Sequence, residues 1–336
     1  MRIPRASMIG GALALAMAIA TPAAWAGNYA FTNFDGPPDF TQGTTVNGIN
    51  NLGQAVGFTT AANGAFNNFV RNTDGSFTPL TFTGSAEAMA NGINSSDQVV
   101  GGLGQSAILV INGGNTVTPL PSVTGTTTAE AAFGINDKGT IVGQYSDSAT
   151  GTSPGFVYAG GKFTILNPVA NDMQVFAQGI NDNGLVVGFY NTDGVHDHGF
   201  LYDTTHQSYT LLADPVVANL LFTQFLGIND HGEVVGYYQT NDGSQHGFLY
   251  NIATQAYTFL DDPNAATSGL SITQITGINN SGEIAGFYVD AASGLQRGFV
   301  AMQSVPEPGS MALLGIGLTV MAGLATHRSR RRSRGA

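Results

Sequence analysis

This sequence predicts an all-β fold, a six-bladed β-propeller, and one repeated motif with a regular spacing carries that prediction. The tripeptide Gly-Ile-Asn occurs six times, and each copy opens a segment close to G-I-N-x-x-G-x-x-V-G-x-Y. Successive copies begin 44, 42, 45, 48 and 50 residues apart. Four short strands fit such a period, which is the size of one propeller blade, and so small a unit must stack on its neighbours to bury its apolar face. The copies begin at Gly48, Gly92, Gly134, Gly179, Gly227 and Gly277.

The fourth repeat illustrates the four strands of a blade. Residues 176–180 lead into Asn181-Asp182-Asn183-Gly184, and residues 185–190 run back as a second strand. Asn at the first turn position and Gly at the fourth are typical of a tight hairpin. A third strand is predicted at 199–202 and a fourth at 209–212. A proline, which cannot donate to a strand ladder, follows most fourth strands and ends the blade: Pro121, Pro168, Pro215 and Pro263.

The two ends of the repeat region predict how the ring closes. The sixth repeat supplies three strands, the last near residues 299–302, and has no fourth strand. Residues 29–37 read YAFTNFDGP, which resembles the fourth-strand segment YTFLDDP at 257–263. An N-terminal strand that completes the last blade would remove the exposed sheet edges. The sequence therefore predicts a closed ring, with the Gly-Ile-Asn strands innermost, where blades converge and glycine permits close backbone approach.

The first 26 residues have the composition of a secretory signal peptide. Arg2 and Arg5 precede the apolar run 8–20, and Ala24-Trp25-Ala26 forms an A-x-A cleavage pattern. We therefore expect cleavage between Ala26 and Gly27, and export of the protein.

The C-terminal segment combines a short motif, an apolar run and a basic end. Residues 305–310 read VPEPGS, residues 311–325 are apolar, and five arginines follow. A helix of 15 residues is about 22 Å long and lies near the lower limit for a membrane span, and the positive-inside rule would keep the arginines cytoplasmic. The domains are thus predicted as a signal peptide (1–26), a propeller (27–303) and a C-terminal sorting segment (304–336).

This tail resembles the PEP-CTERM sorting signal of Gram-negative bacteria, whose motif is matched by Pro306, Glu307 and Pro308. The resemblance implies an exosortase-type processing enzyme as a partner. It also implies an inner-membrane intermediate held by the C-terminal helix, and then a location on the cell surface or in the extracellular matrix. An ordinary tail anchor would account for the helix and arginines but not for the V-P-E-P-G-S segment.

Composition excludes one class of partner. Between residues 27 and 310 only Arg71, Lys138, Lys162 and Arg297 are basic, whereas 22 acidic residues lie between Asp35 and Glu307, a formal charge of −18. Such a surface repels phosphate backbones, so nucleic-acid binding is not expected. The chain contains no cysteine, so an exported fold relies on its core without disulfides.

The repeat resembles the HAF-type extracellular repeat of bacterial surface proteins. His198-Gly199-Phe200 and His246-Gly247-Phe248 stand where that family has His-Ala-Phe, and the resemblance extends over most of 29–302. It implies an extracellular propeller-like body and no established catalytic residues. Other repeats depart from the pattern, with Asn68, Pro154 and Arg297 at the histidine position and Ala107-Ile108-Leu109 in a degenerate second repeat.

Three sets of polar residues could carry chemistry. Short acidic turns supply oxygen ligands for calcium, but hairpins select the same residues for backbone reasons, which we favour here. His196 and His198, two apart on one predicted strand, would face the same side and could hold a metal, although an exposed pair is the simpler reading. Four carboxylates could act as acid and base on a glycan. The turn residues are Asp137, Asp182 and Asp230, and the carboxylates are Asp261, Asp262, Glu283 and Asp290.

Two function classes follow. The first is a non-enzymatic surface or matrix protein whose propeller binds a glycan, such as an exopolysaccharide, or a surface protein. The second is a secreted hydrolase or lyase that acts on polysaccharide, which should show a polar insertion among its longest connections, 213–226 and 261–276. Those connections are mostly apolar or small, and no nucleophile elbow, phosphate loop or dinucleotide motif is present. We therefore favour binding, and expect no catalytic residues, cofactor or metal.

Overall fold

The structure, a computed structural model, describes residues 29–304 apart from 38–42, 63, 83–87, 105, 112–115, 124–128 and 171. The predicted cleavage site at Ala26 and Gly27, the Pro306, Glu307 and Pro308 motif and the C-terminal helix lie outside the described residues. Over the described ranges all regular structure is β, and no helix there is long and apolar enough to cross a membrane.

Within the described part of the chain, twenty-four strands form six antiparallel four-stranded sheets, which confirms the predicted six-bladed propeller. From the channel outward, blade 1 contains β2 (Thr44–Ile49), β3 (Ala55–Thr60), β4 (Phe66–Arg71) and β5 (Phe77–Leu80). Blade 2 contains β6 (Met89–Ile93), β7 (Val99–Leu103), β8 (Ser106–Ile111) and β9 (Thr116–Pro119). Blade 3 contains β10 (Ala129–Ile135), β11 (Ile141–Tyr145), β12 (Gly155–Ala159) and β13 (Lys162–Leu166).

Blade 4 contains β14 (Gln174–Ile180), β15 (Leu185–Asn191), β16 (His198–Asp203) and β17 (Ser208–Leu211), close to the four strands predicted for this repeat. Blade 5 contains β18 (Leu220–Ile228), β19 (Glu233–Thr240), β20 (Gln245–Asn251) and β21 (Ala256–Phe259). Blade 6 contains β22 (Thr273–Ile278), β23 (Ile284–Val289) and β24 (Gln296–Gln303), and β1 (Tyr29–Phe34) is its outermost strand.

Strand β1 closes the ring as the sequence predicts. It pairs antiparallel with β24 over six residues, from Tyr29 opposite Gln303 to Phe34 opposite Gly298. The ring of Phe31 lies edge-on to that of Phe299, with centroids 5.1 Å apart. The first and last strands of the propeller are therefore held together by a strand ladder and an aromatic contact.

The Gly-Ile-Asn strands are innermost, and their glycines allow adjacent blades to approach. A Cβ atom on Gly48 would lie 2.9 Å from the carbonyl oxygen of Asn91, and one on Gly92 would lie 2.7 Å from that of Phe133. Real Cβ atoms do not approach a backbone oxygen so closely, so a larger residue would force the blades apart. The glycine is thus required by the packing of one blade on the next.

Aromatic side chains of the third strands fill the space between blades. In five blades the residue is a phenylalanine with no exposed surface, and in the degenerate second repeat it is Ile108. Full burial of such a side chain contributes about 1.5–3 kcal/mol, so the six positions form the principal core. The phenylalanines are Phe69, Phe156, Phe200, Phe248 and Phe299.

We expect the Phe31→Ala variant to lose about 2 kcal/mol of unfolding free energy, because it removes the half-buried ring that packs on Phe299. Thr32→Ala alters the exposed neighbour on the same strand and should cost less than about 0.5 kcal/mol. Urea unfolding monitored by circular dichroism measures both. Equal stability of the two variants would contradict a role of β1 in ring closure.

Candidate binding site at the channel mouth

The channel opens on two faces that differ in width. The hairpins that follow the inner strands surround a cavity of about 50 Å³, here called the narrow mouth. A second cavity of about 70 Å³ lies at mid-channel, beside the glycines of the inner strands. At the opposite end the channel widens into a cavity of about 380 Å³, here called the wide mouth.

A closed ring of hydrogen bonds links the six blades beside the narrow mouth. The Asn of each Gly-Ile-Asn donates from its side-chain Nδ2 to the backbone oxygen of the equivalent Asn in the next blade, at 2.9–3.2 Å. The ring runs through Asn50, Asn94, Asn136, Asn181, Asn229 and Asn279 and returns to Asn50. All six side chains are buried, so each bond is shielded from water.

The same asparagines also shape the hairpins. The Oδ1 of Asn136 accepts hydrogen bonds from the backbone N–H groups of Lys138 (3.1 Å) and Thr140 (2.9 Å). Both bonds recur in four other hairpins, and in the fourth repeat Asn181 Oδ1 accepts from the N–H of Leu185. One amide therefore folds its own turn through oxygen and binds the next blade through nitrogen.

Six isoleucines separate the narrow mouth from the mid-channel cavity. They are the central residues of the Gly-Ile-Asn tripeptides, and all six line both cavities. An apolar ring at this position offers no hydrogen bond to water or a polar solute. The residues are Ile49, Ile93, Ile135, Ile180, Ile228 and Ile278.

The acidic turn residues join adjacent blades at the narrow mouth. Asp182 Oδ1 accepts from the backbone N–H of Asp137 at 2.9 Å, and Asp230 Oδ1 accepts from that of Asp182 at 2.8 Å. Asp137 Oδ1 likewise accepts from the N–H of Ser95 at 2.7 Å. Burial, with a smaller contribution from the flanking carboxylates, raises the pKa of Asp182. These carboxylates thus bind blade to blade, and within the described residues no group of three His, Asp or Glu is arranged to hold a metal ion.

A β-bulge in each inner strand supplies the lining of the wide mouth. In every blade the register shifts just before the glycine of Gly-Ile-Asn, and a bulge re-aims the side chain of the extra residue. All six extra residues line the wide mouth, and we call them the bulge residues. They are Asn47, Asn91, Phe133, Gln178, Leu226 and Thr276.

The wide mouth combines aromatic and amide side chains. Phe58, Phe287 and Met89 add apolar surface to the bulge residues, and Gln224 and Gln274 add amides. None of the described side chains that line the cavity is charged. The ring of Phe133 packs against the ring of Phe176, with centroids 6.1 Å apart. The ring of Phe176 is in turn stacked on that of Phe189, with centroids 4.6 Å apart.

Most of the polar groups around the wide mouth are held in place. Asn47 donates to Asn91 Oδ1 at 3.2 Å, and Asn91 donates to the oxygen of Ala132 at 2.9 Å. Gln224 and Gln274 are held by Asp197 and Gln245, each at 2.7 Å. We find no side-chain hydrogen bond from Gln178 to any described residue, so its amide is available to a ligand. It neighbours Phe133, since the two bulge residues lie on adjacent blades.

His196 and His198 are both exposed, in line with the simpler of the two readings. His196 lies in the loop before β16, which begins at His198, so the expectation that both residues share one strand face is wrong. Their rings contact different carboxylates, with His196 Nδ1 2.6 Å from Asp193 and His198 Nδ1 3.2 Å from Asp214. Asp193 Oδ1 also accepts from the backbone N–H groups of Val195 and His196, which fixes His196 in this turn.

The four carboxylates considered as acid and base lie in separate environments, and none lines the wide mouth. Glu283 lies in the hairpin at the opposite end of the channel, where Asn279 donates to it at 3.3 Å and burial raises its pKa. Asp261 pairs with His246 Nδ1 at 2.8 Å, which raises the pKa of that histidine, and its Oδ1 accepts from the backbone N–H of Gly247 at 3.2 Å. Asp290 closes an exposed turn with Ser293.

Asp262 is buried against the closing strand. Its Oδ1 accepts from Asn33 Nδ2 at 3.1 Å and from the N–H of Asn264 at 2.8 Å. Its Oδ2 and the Oδ1 of Asn33 are both buried without a partner among the described residues. Burial, reinforced weakly by Asp290, raises the pKa of Asp262. A proton on Oδ2 would let the acid donate to the Asn33 oxygen and satisfy both atoms.

Comparison with known proteins identifies the family. Residues 116–294, more than half of the chain, match the family described as "Protein of unknown function (DUF3466)". The chain belongs to that family. Residues 304–332 match the PEP-CTERM protein-sorting motif, which marks an exported Gram-negative protein that is sorted through the membrane and processed by an exosortase. No curated protein matches the sequence.

Similar solved structures include TolB from Acinetobacter baumannii, at 12% identity and a TM-score of 0.48 over 80% of this chain and 66% of that one. A mutant of the Aleuria aurantia lectin in complex with Fucalpha1-6GlcNAc has 14% identity and a TM-score of 0.47, covering 81% of this chain and 100% of that one. A prolyl endopeptidase has 11% identity and a TM-score of 0.44, covering 83% and 42%.

We expect Asp262→Asn to be more stable than the wild type at about pH 8, by about 1 kcal/mol, because an amide N–H replaces the orphaned Oδ2. A carboxyl group with a raised pKa stabilises the fold only while it is protonated. The advantage should therefore shrink as pH falls through the pKa of Asp262 and the wild type takes up its proton. Urea unfolding across the pH range measures the difference.

Asp261→Asn is the matched control. It removes the partner of His246 and should destabilise the protein most at low pH, where the histidine is charged. A wild type as stable as Asp262→Asn at about pH 8 would contradict the proposed state of the Asp262–Asn33 pair.

Proposed function

We propose that this protein is a non-enzymatic binding protein of the cell surface or extracellular matrix, and that its wide mouth binds an uncharged glycan. One observation carries the proposal, namely a large cavity lined by aromatic faces and amides without a charged side chain. The exported, exosortase-sorted character of the chain supports this proposal, because polysaccharides are available to an exported protein.

The lining has the chemistry that a neutral sugar requires. Aromatic faces pack against the C–H groups of a pyranose ring, and amides both donate to and accept from hydroxyl groups. Phe133 supplies an aromatic ring that packs on Phe176. Gln178, beside it, supplies an amide with no side-chain hydrogen bond to a described residue. The absence of charge from the described lining disfavours an anionic or cationic ligand.

The repeats differ where the site lies. Gly-Ile-Asn is identical in all six blades, whereas the bulge residue before it is Asn, Asn, Phe, Gln, Leu and Thr in turn. If this position served only to close the channel, the same residue could occupy it in all six blades. Variation in the side chains that line the wide mouth, beside an identical tripeptide, fits recognition of an asymmetric ligand.

A protein ligand is the alternative occupant of the same cavity. The enzyme alternative, a hydrolase or lyase on polysaccharide, receives no support from a specific feature, since the candidate carboxylates are distributed between the two faces and outside the cavity.

The remaining parts of the proposal concern processing and location. We propose that the signal peptide ends at Ala26, that the propeller comprises residues 27–303, and that residues 311–336 of the sorting segment 304–336 are removed after Pro306, Glu307 and Pro308 are recognised. The HAF-type likeness of the repeats agrees with an extracellular body. The mature protein would then reside at the outer surface or in the exopolysaccharide matrix.

We expect purified protein to bind at least one neutral oligosaccharide, and the Phe133→Ala and Gln178→Ala variants to bind it about tenfold more weakly, which corresponds to about 1.4 kcal/mol. The probes are fragments of dextran, cellulose and mannan, with alginate as an anionic comparison, measured by calorimetry. Phe259→Ala removes a partly exposed ring on an outer strand and should leave affinity unchanged.

Thermal unfolding of each variant checks that the fold is retained. The proposal fails if no neutral fragment binds, if alginate binds best, or if the two cavity variants bind as tightly as the wild type.

A further inference from the structure

Both ends of the propeller emerge on the face of the narrow mouth. The inner strand of blade 6, β22, runs toward the narrow mouth, β23 returns, and β24 runs toward the narrow mouth again and ends at Gln303. Tyr29, where β1 begins, is paired with Gln303. The chain therefore enters and leaves the propeller on the same face, away from the wide mouth.

The connection from there to the sorting helix is short. Seven residues, 304–310, separate Gln303 from the apolar run that begins at Met311. Fully extended, they span at most about 25 Å. Strand β24 has eight residues and is about 26 Å long at 3.3 Å per residue. To turn the wide mouth toward the bilayer, this connection would have to run along the whole height of the blade, which leaves no length to reach the membrane.

We propose that the membrane-held precursor is oriented with the narrow mouth toward the bilayer and the wide mouth away from it, so that the wide mouth is open to ligand before processing. This inference rests on the membrane-sorted tail in the proposed function and not on the identity of the ligand. Capture of the ligand can then precede release of the protein.

The charge of the membrane-facing surface fits this orientation. Asp137, Asp182 and Asp230 surround the narrow mouth, and the hairpins between third and fourth strands add exposed turns with Asp74 and Asp203 on the same face. Carboxylates do not adsorb to anionic headgroups. The face is thus repelled by an anionic bilayer.

The absence of cysteine from the chain allows a direct test with single-cysteine variants. Leu52→Cys lies in a hairpin at the narrow mouth and Val216→Cys in a loop on the opposite face, and both positions are exposed aliphatic residues. The full-length, uncleaved protein is inserted into phosphatidylcholine–phosphatidylglycerol vesicles and labelled with a polymer-linked maleimide that does not cross the bilayer.

Among the molecules that face outward, we expect Leu52→Cys to react several-fold more slowly than Val216→Cys. Inserting about 20 Gly and Ser residues after Ser304 adds roughly 25 Å of flexible connection and should bring the two rates together. Small, non-polymeric maleimide should label both variants at similar rates in either form, since both sites are on the surface.

Equal polymer-labelling rates with the natural connection, or slower reaction of Val216→Cys, would overturn the inference, as would failure of the full chain to associate with vesicles. The labelling uses no ligand, and the oligosaccharide measurements use protein free of membrane. Failure of either proposal is therefore distinguishable from failure of the other.

Discussion

The ring of asparagine side chains beside the narrow mouth is the interaction on which the rest of the structure depends. Each amide uses its oxygen to fold a hairpin and its nitrogen to bind the next blade, so turn geometry and blade spacing cannot vary independently. Glycine before it permits the inner strands to approach, and isoleucine between them lines the channel with apolar surface. The three residues of the repeated tripeptide thus have three separate tasks, each imposed by convergence of six blades on one axis.

This constraint also separates the scaffold from the site. The inner strand is fixed by Gly-Ile-Asn on one side of each bulge, while the bulge residue is directed into the wide mouth and is free to differ between blades. A rigid ring with one variable side chain per blade can present an asymmetric set of aromatic and amide groups without altering its fold. The closing strand β1 completes that ring through backbone pairing with β24, and the same closure places Tyr29 and Gln303, the two ends of the propeller, on the face opposite the wide mouth.

The architecture could be predicted from the sequence because the Gly-Ile-Asn motif recurs periodically along the chain. Six copies of one motif at spacings of 42–50 residues, a missing final strand and a matching N-terminal segment predict the blades and the closure by residues 29–34, and the structure has both. The site required information that periodicity does not contain. A bulge shifts the register by one residue, so the orientation of Phe133 or Gln178 could not be read from alternation, although the variation of this position beside an invariant tripeptide pointed to it. His196 and His198 were placed on one strand because the Asp193 turn was not recognised. The buried pairing of Asp262 with Asn33 joins residues 229 positions apart, a separation that only the closed ring brings together.

The most direct test of the asparagine ring is the unfolding free energy of Asn136→Asp. This substitution keeps the oxygen that accepts from Lys138 and Thr140 but removes the donor to Asn181 in the next blade. Asn72→Asp is the comparison, because Asn72 lies in an exposed hairpin and its amide binds only within its own blade. If the ring holds the blades together, Asn136→Asp loses about 1–3 kcal/mol in urea unfolding and Asn72→Asp loses much less. Equal losses in the two variants would contradict the account.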